Sequence, residues 1–139
     1  MIQKLLIAYD GSDSAYAAFD FALDLAAKCS AELHVLAVAR PPEFGEEVET
    51  EAVIEQSRRH YAHTLQPLKS RTGGLTTHFE VKVGHPAETI VLYAEDHGID
   101  HIVVGHRGHG LFERWLIGSV ARQVIAYAPC AVTVVRPRA

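Results

Sequence analysis

Apolar residues fall along this chain in two rhythms, short unbroken runs and longer stretches spaced for one helix face, and the two alternate throughout. Lys4 to Tyr9 is the first run, stopped by Asp10-Gly11-Ser12, where Ser12 is a suitable N-cap for the next segment. From Asp13 to Cys29, Ala15, Phe19, Ala22, Leu25 and Cys29 share one helical face while Asp13, Asp20, Asp24 and Lys28 share another. Glu32 to Val38 reads as a second strand, ended by Arg40-Pro41-Pro42. A second helical pattern carries Ile54, Tyr61, Leu65 and Leu68, with acids (Glu46, Glu47, Glu49, Glu51) before it and bases (Arg58, Arg59, Lys69, Arg71) toward its far end, the order a helix dipole favours. Pro67 is expected to kink or fray its last turns, and Gly73-Gly74 ends it.

Thr76 to Val83 alternates as a third strand, and Gly84-His85-Pro86 opens a third helix that stops at Gly98. His101 to Val104 and Ala131 to Val135 are unbroken apolar runs of the kind that suits strands buried on both faces. A helix from Ser119 to Ala128 separates them. This alternation predicts one doubly wound α/β domain over residues 1–139, a five-stranded parallel Rossmann-like sheet with helices on both faces. Ligands of such folds bind at the carboxyl ends of the strands, where the strand order reverses. With an order of 3-2-1-4-5, Asp10 and Gly105 flank that point.

Composition narrows the partners. The 139 residues are 48% apolar and 22% charged with a net charge of −4, which describes a globular domain without general attraction to nucleic acid or anionic membrane. The first apolar run is too short for a signal segment and no stretch is long enough to span a bilayer, so a cytoplasmic protein is expected. Cys29 and Cys130 show no metal or redox spacing and are expected to act as small buried apolar residues.

The candidate chemistry concentrates between Ile102 and Val120. Gly105 and Gly108 come after the fourth strand, and Gly118-Ser119 stand at the start of the last helix. Glycines let the backbone approach a bound group, and a helix start offers unpaired amides with a positive dipole end, so the spacing suggests phosphate binding. The pattern is neither a P-loop nor the dinucleotide fingerprint, because no Gly-Lys-Ser/Thr is present and the glycines are too widely spread. Asp10 is positioned to accept hydrogen bonds from ribose hydroxyls or to help hold a metal through water, or else to cap its own turn. Arg107, flanked by His106 and His109, is a candidate phosphate ligand. Arg114 is less informative, and Leu111, Phe112, Trp115, Leu116 and Ile117 read as a packing segment. The pairs His60/His63 and His106/His109 lack a completing ligand, so no metal site is expected. No nucleophile elbow or paired carboxylates are present, so no catalytic residue is assigned and binding is better supported than catalysis.

Three segments, the opening KLLIAYDGSDSAYAA, the central VGHPAETIVLYAEDHGIDHIVVGHRGHG and the closing LIGSVARQVIAYAPCAVTVVRP, closely resemble the universal stress protein family. In that family Gly-x2-Gly-x9-Gly-Ser/Thr marks members that bind ATP, and Gly105, Gly108, Gly118 and Ser119 match it without a gap. The resemblance implies that Asp10 contacts the ribose, that Ala8 and Val38 border the adenine with Tyr9 beside them, and that backbone at Val104, Gly105, Gly108, Ser119 and Val120 cradles sugar and phosphates with magnesium. It also implies a homodimer through residues 131–135. Two departures are Tyr9, bulkier than the residue often found beside the adenine, and Ala131 in place of a frequent proline. The resulting expectation is an ATP-binding regulatory protein of stress responses with an unidentified protein partner. The alternatives are a slow ATP hydrolase or phosphoryl-transfer enzyme using the same site, and a nucleotide-free scaffold dimer.

Overall fold

Five short strands line up in parallel in the computed structural model, which describes residues 1–41, 47–107 and 117–137. They are β1 (Lys4–Ala8), β2 (Glu32–Ala39), β3 (Thr77–Val83), β4 (His101–Gly105) and β5 (Ala131–Val135), in the order β3-β2-β1-β4-β5. Four helices connect them: α1 (Asp13–Cys29), α2 (Glu47–Leu65), α3 (Pro86–His97) and α4 (Ser119–Tyr127).

The unbroken apolar runs reflect burial on both faces. Successive side chains on a strand point to opposite sides, so Leu5 and Ile7 of β1 pack with Phe19, Ala22 and Ala26 of α1, whereas Leu6 joins Ile90 and Tyr93 of α3 and Val124 of α4. The sheet therefore separates two cores, one beneath α1 and α2 and the other beneath α3 and α4. Each run fills both at once.

Helix ends obey the local sequence. Ser12 Oγ accepts the Ala15 amide at 3.1 Å and caps α1, while Gly98 ends α3 at a φ of 64° that favours glycine. Pro67 converts the chain after α2 into a 3-10 helix at Gln66–Arg71, so Leu65 and Leu68 both stay buried. Two expectations shift. The inner face of α1 is Ala15, Ala18, Phe19, Ala22 and Ala26, with Leu25 and Cys29 only half-buried at its margin. β5 is an edge strand with Ala131 exposed and the rest half-buried, because among the described residues only β4 pairs with it. Cys130 is likewise half-buried, and both cysteines are free thiols.

Candidate functional site

Between the carboxyl ends of β1 and β4 the chain turns away on both sides, leaving a cavity of about 450 Å³, a size typical of small-molecule sites. Ala8, Leu36, Val38, Ile90 and Val104 give it an apolar wall. Its charged lining is Asp10, Arg40 and Arg107, two guanidinium cations against one carboxylate in a chain whose net charge is −4. The remaining edge is backbone at Gly118, Ser119 and Val120, where α4 starts.

The turn after β1 sets Asp10. Its Oδ1 accepts the Ser12 amide at 2.9 Å, and Gly11 takes a φ of 85°, so the aspartate both shapes the turn and lines the cavity. Tyr9 borders the cavity too, but most of it packs into the core. Its amide donates to the Leu36 carbonyl at 2.9 Å, and its ring meets Phe19 edge-on at 6.2 Å between centroids, within the core beneath α1. Burial raises the Tyr9 hydroxyl above its ordinary pKa. The bulk of Tyr9 is thus taken up by the core next to Phe19.

The start of α4 is fixed by a short relay. The Gly118 amide donates to the His106 carbonyl, and the His106 amide donates to the Val135 carbonyl, both at 2.8 Å. Gly118 supplies no side-chain cap and no acid sits in the first turn, so the opening amides and the positive dipole end face the cavity without a competing carboxylate from this helix. The imidazole of His106 is buried and held below its ordinary pKa, first by that burial and then by the charges of Arg136 and Arg107.

Gly105 has a packing role that the sequence did not signal. Neither Gly105 nor Gly118 uses a left-handed φ. A Cβ on Gly105 would lie 2.7 Å from the Ser14 carbonyl carbon and 2.8 Å from its oxygen. This glycine lets the first turn of α1 close against the end of β4.

Of the expected site residues, Ala8, Tyr9, Asp10, Val38, Val104, Gly105, Arg107, Gly118, Ser119 and Val120 all line this cavity. Gly108, His109, Leu111, Phe112, Arg114, Trp115 and Leu116 lie outside the described residues. Sequence reasoning missed Arg40, Tyr61 and Ile90. Arg40 was discoverable, since it comes directly after β2 and β2 neighbours β1, whereas nothing local marks Tyr61 of α2.

A second grouping lies at the opposite end of the sheet. Glu32 and His34 of β2 and His78 of β3 each offer one ligand atom, all within 4.8 Å of one another. His60 and His63, by contrast, are exposed on α2. Among the described residues, no helix is long and apolar enough to cross a membrane.

Comparison with known proteins agrees with the resemblance. A sequence model of the Universal stress protein family matches residues 1–136. The Universal stress protein YxiE of Bacillus subtilis (strain 168) is 31% identical over 153 residues, covering 98% of this chain and 100% of that protein. The structure of Universal stress protein UspA from Lactobacillus plantarum superposes with a TM-score of 0.89 at 27% identity, covering 97% of this chain and 98% of that one. A universal stress protein family protein from Arabidopsis thaliana, solved with AMP bound, shares the fold with a TM-score of 0.70 at 19% identity, covering 99% and 93%.

Proposed function

The chain belongs to the universal stress protein family, and from that premise we propose that it is a cytoplasmic regulatory protein holding ATP, with magnesium on the phosphates, in the cavity between β1 and β4. The observation that carries this reading is the lining itself: an apolar wall, one aspartate, two arginines and a helix start around one crevice. An adenine ring suits the wall of Ala8, Leu36 and Val38, and ribose hydroxyls suit the Asp10 carboxylate. A polyphosphate suits Arg40, Arg107 and the amides that open α4, since both cationic charge and helix dipole favour an anion. Magnesium supplies charge neutralisation on the phosphate oxygens when it accompanies them. Occupancy would set the stretch between Gly105 and Gly118, and through it the surface offered to a protein partner.

Titration of the purified protein with Mg-ATP tests the site, with Gly118→Ala as the comparison. Gly118 has φ −65° and ψ 156°, which alanine adopts freely, so the fold should hold while a methyl group stands where phosphate approaches. We expect affinity to fall about 10-fold, roughly 1.4 kcal/mol, and the nucleotide recovered after long incubation to be intact ATP. Absence of any binding by the unsubstituted chain, or equal affinity of the two proteins, would remove the proposal.

In the same reading two copies pair along β5, whose outer edge has no partner strand among the described residues. Sedimentation velocity should then report a dimer, and a monomer at micromolar concentration would remove that part.

A further inference from the structure

β2 carries Glu32, His34, Leu36 and Val38 on one face, because alternate residues of a strand point the same way. Leu36 and Val38 reach the cavity. Glu32 and His34 stand at the other end of that face, where the register sets His34 directly beside His78 of β3. The three side chains are already joined. Glu32 Oε2 lies 3.0 Å from His34 Nε2 and Glu32 Oε1 lies 3.1 Å from His78 Nε2.

We propose that Glu32, His34 and His78 form a binding site for a divalent transition-metal ion of the zinc type, remote from the cavity. Two imidazoles and a carboxylate are the donor set of open zinc sites, in which water takes the fourth position. Tetrahedral zinc with bonds of about 2.1 Å holds its ligand atoms roughly 3.4 Å apart; Glu32 Oε2 already stands near that separation from His34 Nε2, and one ligand atom from each of the three residues lies within 4.8 Å of the others. The remaining adjustment falls on His78, whose side chain is 51% exposed and can swing inward. His34 is fixed, being buried at 5% exposure.

The surroundings suit a ligand imidazole. His34 Nδ1 lies 2.6 Å from the Tyr93 hydroxyl, and metal-bound histidines characteristically have their second nitrogen hydrogen-bonded, which fixes the ring. The Tyr93 hydroxyl can accept from or donate to His34. Without metal, His34 Nε2–H donates to Glu32 and Nδ1 accepts from Tyr93; with metal on Nε2, the proton resides on Nδ1 and the Tyr93 oxygen accepts it. Tyr93 is itself held in place by His97, stacked on it at 3.8 Å and 14°.

Cobalt(II) and zinc(II) salts alone, added to chelator-treated protein without nucleotide, test this site whatever the cavity binds. We expect one Co²⁺ per chain with the visible absorption of a four-coordinate ion, its displacement by Zn²⁺, and a rise in Tm with zinc. His78→Ala should weaken binding at least about 100-fold, and Tyr93→Phe about 10-fold as the loss of a supporting hydrogen bond. His60→Ala should change nothing. Because His78 is exposed, its variant should keep the far-UV circular dichroism and urea midpoint of the metal-free protein. No stoichiometric Co²⁺ band, or an unchanged band in a folded His78→Ala protein, or loss of the band in His60→Ala, would overturn the assignment.

Discussion

Val38 and Glu32 stand on the same face of the same strand, yet they belong to regions that gather their chemistry in different ways. At the carboxyl end, β1 and β4 part and leave main-chain groups and strand-end side chains around a crevice. At the amino end, where the sheet is continuous across β2 and β3, three side chains converge above it. The first region is made by where the backbone goes, the second by which residues a register sets side by side. α3 touches both, with Pro86 and Ile90 at the cavity and Tyr93 and His97 over the histidine cluster. Main-chain recognition suits a polyanion, and paired imidazoles suit a cation.

The contrast is most strongly tested at Gly105. If the crevice depends on close backbone approach, Gly105→Ala must force α1 and β4 apart, since the added methyl would lie 2.7 Å from backbone at Ser14. We expect a loss of about 2 kcal/mol in urea unfolding, in the range for an overpacked core, whereas Gly118→Ala should cost only about 0.5 kcal/mol, as a poorer N-cap of α4. Equal stability of the two variants would show that the two glycines do the same job.

A smaller effect comes from the histidines at either end of β4. His101, whose Nε2 lies 2.6 Å from Thr133 Oγ1, and His106 beside the cavity are both held below the ordinary imidazole pKa, first by burial. Nearby Asp100 opposes the shift at His101, whereas Arg136 and Arg107 add to it at His106. Their neutral forms are favoured in the fold, so the unfolded chain takes up protons first as pH falls. Their contribution is present above the ordinary imidazole value and is lost as pH drops through the lowered folded values. Urea midpoints of chelator-treated protein should fall between about pH 7.5 and about pH 5.5, and less steeply in His101→Gln. A flat profile would mean that neither histidine is held neutral by burial.

Much of the carboxyl end was legible because its signals are contiguous. Asp10-Gly11-Ser12 reads as a turn into a capped helix, and Gly105 and Gly118 bracket one stretch, so order along the chain nearly reproduces order in space. Strand alternation also disclosed the sheet, because apolar runs such as LLIA leave no solvated face. Arg40 and Tyr61 escaped because they arrive from other strands and helices. The amino end was illegible for a related reason. Glu32 and His34 are two apart and invite comparison, but His78 joins them only through the β2–β3 register, which no local spacing encodes. Gly105 carries a second reason to be glycine that its spacing did not signal, since the first turn of α1 lies against it.

The helix behind Gly105 also constrains descent. If the proposed phosphate site were lost in some lineage, glycine at 105 would still be required, because the helix at its back would not have moved. Position 118, with dihedral angles open to most residues, would be released to drift. Loss of such a site would therefore be written at the second of these glycines while the first stood unchanged.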